Sequence, residues 1–233
     1  NIWGLRKLLD YYCNKNLRGF LFFSSSEIYG DPSSDFIPTP ETYRGNVSTI
    51  GPRACYDESK RCGETLCEVF ANQYAMPIGI ARPFNNFGPG MRLEDKRVPA
   101  DFAKATFENK DLAIFSNGYA TRTFCYVADA VVGYFKILLN GKFDIFNIGI
   151  ESPEINILKF AEIYKEQGEK YLDYSGKIIF SPPPEKEYLT HNPNRRCPVI
   201  AKAKHFLNFE PEIGVAEGVG KFLQFIKLQN GDL

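Results

Sequence analysis

Apolar positions in this chain alternate between helical stripes and short continuous runs. Leu5, Leu8, Leu9 and Tyr12 recur at helical spacing across residues 2–15, so the sequence enters inside a helix with no N-capping residue. Residues 19–24 (GFLFFS) form an apolar run of the kind that makes a fully buried parallel strand. That run ends in Ser24-Ser25-Ser26-Glu27 and a turn-rich IYGDP. Residues 31–52, rich in Pro, Ser, Thr and Gly, read as a loop. From 54 to 74 the spacing of Tyr56, Leu66, Val69, Phe70 and Tyr74 fits a long helix, stopped before Pro77. Residues 78–81 make a second strand, followed by the loop RPFNNFGPGM. Strand, helix, strand is a βαβ unit whose two strand ends point to one edge, the edge where open α/β sheets bind ligands. Ser26, Glu27, Tyr56, Lys60 and Asn85 therefore share a crevice.

Further along, 98–109 reads as a helix, 112–115 as a strand, Asn117-Gly118 as a turn, 124–140 as a strand end then a helix, and 143–148 as a strand. Ile157, Leu158, Phe160, Ala161 and Tyr164 give residues 156–168 an amphipathic helix. A strand at 177–180 runs into a stiff proline segment at 182–184, and helices around 199–207 and 215–227 follow.

With 233 residues, 44% of them hydrophobic, the chain can bury the core of one large domain or two small ones. Zero net charge argues against a nucleic-acid partner held by bulk charge, while leaving room for a local anion site. The apolar runs are too short to span a bilayer and no charged-then-apolar leader opens the sequence, so the reading is a soluble protein with no membrane partner. Six scattered cysteines without a CxxC pair, and two histidines, His191 and His205, at no metal-ligand spacing, point to reduced thiols, a cytoplasmic location and no metal. His205 reads as a surface or packing residue.

The chemistry concentrates in residues 53–64, RACYDESKRCGE. Tyr56 and Lys60, four apart, share one helix face, and an ammonium close to a phenol favours the phenolate, which is one way to make a base. The same spacing also occurs on ordinary amphipathic helices, with the tyrosine packed and the lysine solvated.

SSSEIYG after a strand, YDESK in a helix, RPFNNFGPG after the next strand, then TRTFCYVAD, FNIG and RRCPVIAKAKHFLNFEP occur in an order that resembles the extended short-chain dehydrogenase family of nucleotide-sugar epimerases, dehydratases and decarboxylases. The resemblance implies an α/β fold, a Rossmann-like parallel sheet lacking its N-terminal strands, with a smaller C-terminal substrate-binding domain. Residues 1–84, with 120–149, would belong to the sheet domain; 85–119 and 150–233 would form the interleaved substrate region. It also implies that Tyr56 removes a proton from a sugar hydroxyl while NAD takes the hydride, that Lys60 holds the nicotinamide ribose, and that Ser25 bridges substrate and Tyr56. Ser24 and Pro83 would line the cofactor pocket. Asn85, Arg97 and Arg122 would hold the substrate, with Asn85 and Arg122 on its diphosphate. Asn85 also reads as a turn residue, and Arg122 as a surface arginine in a loop.

Similar 4,6-dehydratases carry Asp before the Glu, because expelling a hydroxyl needs an acid; here that residue is Ser26. Simple 4-epimerases generally lack the carboxylate of Glu27. The pair, with the TYRGNVSTIGPRACYDESKR and RRCPVI segments, is most similar to UDP-glucuronate decarboxylases, in which Glu27, Ser26 and Arg196 would handle C5 and the carboxylate. Glu27 also reads as a carboxylate satisfied by backbone amides, and Arg195 blurs which arginine points inward. Asn86, Gly90, the run Lys96-Arg97-Val98-Pro99 and Cys197 depart from the decarboxylase pattern, so a 4-epimerase or dehydratase acting on a related sugar is the alternative.

The family opens with a Gly-rich turn for the NAD pyrophosphate, and no GxxGxxG-like turn occurs here. At about 30 residues per βα unit, on the order of 90 would precede this start. The chain is thus expected to bind NAD poorly by itself, as part of a longer protein or as a remnant serving as a binding subunit. By the same resemblance the helix carrying Tyr56 would form a homodimer interface.

Overall fold

The computed structural model describes residues 1–183 and 193–230. Pro184 and His191, which figure in the sequence reading, lie outside the described residues.

Helix α1 (Ile2–Tyr12) leads to strand β1 (Phe20–Phe23), then helix α2 (Ala54–Tyr74) and strand β2 (Ile78–Pro83). Strands β1 and β2 are parallel, with Phe20 opposite Ile78 and Phe23 opposite Ala81. Short strand β3 (Asn86–Phe87), helix α3 (Val98–Phe107), and strands β4 (Leu112–Ile114), β5 (Thr121–Arg122) and β6 (Cys125–Tyr126) follow. Helix α4 (Val127–Leu139) then returns the chain to the sheet as strand β7 (Asp144–Ile148), parallel to β2, giving the order β1-β2-β7.

Alternation along β2 sorts its neighbours. Ile78 and Ile80 point to α1 and α2, where they bury Leu5, Leu9, Cys67 and Phe70. Gly79 and Ala81 face α4; a Cβ on Gly79 would lie 2.3 Å from a methyl of Ile137, so only glycine lets the helix come this close. The expected full burial of β1 is not met. Phe20–Phe22 are half-buried and Phe23 is 46% exposed, because β2 is the only strand beside β1 among the described residues.

Strand β8 (Ile155–Asn156), helix α5 (Ile157–Leu172), strands β9 (Ile178–Phe180) and β10 (Arg195–Arg196), and helices α6 (Ala201–Leu207) and α7 (Val215–Asn230) complete the described chain. The Asn156 side chain accepts a hydrogen bond from the Lys159 amide at 2.7 Å, fixing the start of α5, which runs four residues past the periodic segment. Strand β5 lies between β10, parallel to it, and β8, antiparallel. Phe124 and Phe160 stack at 3.8 Å within a core that joins Ala81 and Phe146 of the sheet to Phe160 and Phe222 of the C-terminal helices. The six cysteines are free, and His205 packs edge-on against Phe206.

Candidate active site

Both β1 and β2 end at one edge of the sheet. Directly after β1, Ser24, Ser25 and Ser26 are buried, and the Ser25 hydroxyl accepts from the Glu27 amide at 3.2 Å, capping a tight turn over Ser26–Tyr29. Helix α2 then brings Tyr56 and Lys60 alongside. The Lys60 ammonium donates to the last carbonyl of β1, at Phe23, over 2.6 Å and lies 5.7 Å from the centre of the Tyr56 ring. Burial lowers the Lys60 pKa from the ordinary lysine value. Tyr56 remains 42% exposed and lines a cavity of about 1380 Å³.

The same cavity is lined by an ion cluster. One Glu27 oxygen is 2.5 Å from the guanidinium of Arg196, which also donates to the Ser26 hydroxyl at 3.1 Å and to the Gly30 carbonyl at 3.3 Å. The other Glu27 oxygen accepts from Arg53. Glu27 is thus satisfied by two guanidinium groups and not by backbone amides. Desolvation lowers the Arg196 pKa from the ordinary arginine value, and the Arg53 charge adds to that, against the pull of Glu27. The two adjacent arginines of β10 part company: Arg196 is buried against Glu27, whereas Arg195 is exposed and forks onto Glu154 at 2.7 and 2.9 Å.

Arg122 is buried on β5 and donates to the carbonyls of Thr121, Pro193 and Asn194, so the surface-arginine alternative does not hold. Burial, reinforced by the charge of Arg196, lowers its pKa to about 10. Asn85 does occupy a turn, with φ 43°, and its amide donates to the Thr123 carbonyl at 3.0 Å. Arg97 is exposed and paired with Asp95. Ser24, Pro83, Asn85, Arg97 and Arg122 all line the cavity that Tyr56 faces. The Ser24 hydroxyl there is buried without a partner.

Sequence reasoning missed Arg53. Its signal was a cation at the N-cap of a helix, where the helix dipole disfavours one and a nearby anion offsets it. Asp57, one turn on, is buried, and desolvation raises its pKa while the charge of Arg53 holds it down. In all, the cavity wall carries Arg53, Lys96, Arg97, Arg122, Arg195 and Arg196 against Glu27, Asp101 and Glu154, an excess of positive charge suited to an anionic ligand.

Residues 1–149 match the NAD dependent epimerase/dehydratase family. A UDP-glucuronic acid decarboxylase 1 from Arabidopsis thaliana is 39% identical over 223 residues, 96% of this chain and 48% of that protein. The chain spans about half the length of the curated relatives it matches. The crystal structure of UDP-glucuronic acid 4-epimerase from Bacillus cereus, in complex with UDP-glucuronic acid and NAD, is 26% identical with a TM-score of 0.77 over 98% of this chain and 67% of that one. UDP-glucose 4-epimerase from Thermotoga maritima, at 24% identity and a TM-score of 0.84, covers 98% of this chain and 69% of that one and shows the same fold. The βαβ order of β1, α2 and β2, the Tyr56–Lys60 pair beside the end of β1 and the match over residues 1–149 together place the chain in the NAD dependent epimerase/dehydratase family.

Proposed function

We propose that this chain supplies the base and the substrate half of an enzyme that oxidises a nucleotide-linked uronate at C4 and decarboxylates it, with UDP-glucuronate as substrate. The observation that carries this reading is the clasp of Glu27 by Arg53 and Arg196 in the cavity that Tyr56 also lines. Two forked donors arranged around a carboxylate are what a substrate carboxylate needs for orientation.

NAD, when bound, would accept the hydride from C4 and return it to the C4 ketone once carbon dioxide has left and C5 has been protonated. The residues of its nicotinamide end fit: the unpartnered Ser24 hydroxyl and Tyr56 line the cavity, and Lys60 reaches the Phe23 carbonyl next to Ser24. The pyrophosphate-binding turn would come from outside these 233 residues. Tyr56 takes the proton of the C4 hydroxyl, and Ser25 bridges the two. The resulting β-keto acid loses carbon dioxide with little help, since the ketone holds the electron pair as an enolate. What the protein adds is position: Arg53 and Arg196 hold the departing carboxylate, Ser26 and Glu27 stand at C5 where a proton must be delivered, and Arg122, Arg97 and Asn85 serve the diphosphate. In this reading residues 1–84 with 120–149 form the cofactor domain, 85–119 and 150–233 the substrate region, and the protein works as a cytoplasmic homodimer joined through α1 and α2. No helix among the described residues is long and apolar enough to cross a membrane.

The test is to incubate the full-length protein with NAD and UDP-glucuronate labelled at C6. Labelled carbon dioxide and a nucleotide pentose are expected. A second reading, 4-epimerisation, is favoured by the fold shared with the Bacillus cereus uronate epimerase; label retained in an isomer would replace the first reading with it. No turnover of any nucleotide sugar would leave the binding-subunit alternative.

A further inference from the structure

Arg82, on β2, is a buried arginine that the chemistry above does not use. Its guanidinium forks onto Glu64 of α2 at 2.6 and 2.9 Å and donates to the Tyr29 hydroxyl at 2.7 Å and the Glu41 carbonyl at 2.9 Å. Tyr29 donates in turn to Asn147 of β7 at 2.8 Å. The Asn147 amide reaches the carbonyls of Thr39 at 3.0 Å and Val199 at 3.1 Å. Thr39 then exchanges backbone hydrogen bonds with Cys197 at 2.8 Å and Val199 at 2.9 Å, the residues that follow Arg196.

One unbroken chain of buried and part-buried hydrogen bonds therefore touches the three segments of the site. Glu64 lies in the same stripe of α2 as Tyr56 and Lys60, each four residues from the next, so its fork to Arg82 fixes the rotation of the helix that aims Tyr56. Tyr29 belongs to the turn that presents Ser26 and Glu27. Thr39 and Asn147 anchor the segment that presents Arg196. Burying such an ion pair gains little stability over apolar packing of the same volume, so its consequence is to be sought in position.

We propose that the Arg82 network is a positioning device that sets the spacing between the Tyr56 helix and the Glu27–Arg196 pair, keeping oxidation at C4 and decarboxylation at C5 in step on one bound sugar. The inference rests on the decarboxylase reading. It makes Glu64, Arg82, Tyr29 and Asn147 positioning residues, acting through Tyr56 and Arg196 without touching the substrate.

The test is the partition of product in the full-length protein with NAD and UDP-glucuronate. Tyr29→Phe removes one oxygen and breaks the chain in the middle; Glu64→Gln keeps its shape and removes its charge. In both variants the ratio of released 4-keto sugar to finished pentose is expected to rise at least about fivefold, about 1 kcal/mol at 1.4 kcal/mol per factor of ten. A network that only supports the fold would lower ketone and pentose together, in proportion to the folded fraction followed by thermal melting. An unchanged ratio in folded variants overturns the proposal, as does failure of both variants to fold. Wild-type protein that turns over the uronate without releasing carbon dioxide overturns the decarboxylase reading, and the inference with it.

Discussion

At the scale of single residues, the site is two arrangements: a phenol and an ammonium four residues apart on one helix, and a carboxylate held between two guanidinium groups. Tyr56 and Lys60 stood out because one helix sets their separation, and the structure adds the Phe23 carbonyl that Lys60 reaches. Glu27 could be singled out as a carboxylate, but its partners Arg53 and Arg196 lie 26 and 169 residues away, and only the sheet edge brings them together. Tyr56→Phe removes the base and is expected to lower kcat in the full-length protein by about 10²–10⁴-fold, with substrate affinity measured by calorimetry little changed; near-normal turnover would assign the base elsewhere. Arg53→Ala removes one of the two guanidinium groups on the carboxylate site. It is expected to cost about 2–3 kcal/mol in kcat/KM for the uronate and much less in binding of the matching hexose, which has no carboxylate. Equal losses for both ligands would mean that Arg53 only braces the helix.

At the scale of elements, every long helix and every strand of the central sheet was legible from periodicity, since each carries its own apolar signature. The two-residue strands β3, β5, β8 and β10 were not, because too few residues carry their pattern and their pairing is non-local. The small sheet of β10, β5 and β8 is tied together by Glu154, which accepts from Arg195 on β10 and from Thr121 on β5. The hydrogen bond from Arg195, with that from Thr121 and against some desolvation, holds the Glu154 carboxyl below the usual carboxylate range. The folded form therefore binds its proton less readily than the unfolded form. Its stabilisation is complete above the ordinary carboxylate pKa, about 4.3, and drains away as pH falls through the lower folded value. Because Arg195 is half in solvent, screening keeps the contribution to about 1 kcal/mol or less. Urea unfolding of Glu154→Gln is expected to show that deficit near neutral pH and almost none well below the carboxylate range. A deficit independent of pH would assign the loss to packing.

At the scale of the whole molecule, the course of the chain around the sheet was legible from the βαβ rule, whereas the burial of β1 and α4 was not, because it depends on what lies beside them. Helix α4 is apolar on both sides: Ala130, Gly133 and Ile137 face the sheet, while Val131, Val132, Phe135 and Leu139 are exposed on the other side. A helix apolar all round is normally covered all round. Phe23, on the open edge of β1, extends the same surface and packs edge-on against Tyr134 of α4 at 4.7 Å. Since the chain spans about half the length of its curated relatives, we expect this surface to be covered in the full-length protein by the segment that brings the pyrophosphate-binding turn. Phe135→Glu should then have opposite effects on the two forms. In the 233-residue chain by itself it replaces an exposed ring with a charge and should reduce self-association in sedimentation. In the full-length protein it buries that charge in place of a ring whose burial contributes about 1.5–3 kcal/mol. The melting temperature and the affinity for NAD should both fall. A full-length variant with unchanged melting and unchanged NAD affinity would show that the segment lies elsewhere and that the outer face of α4 is open to solvent in the working protein.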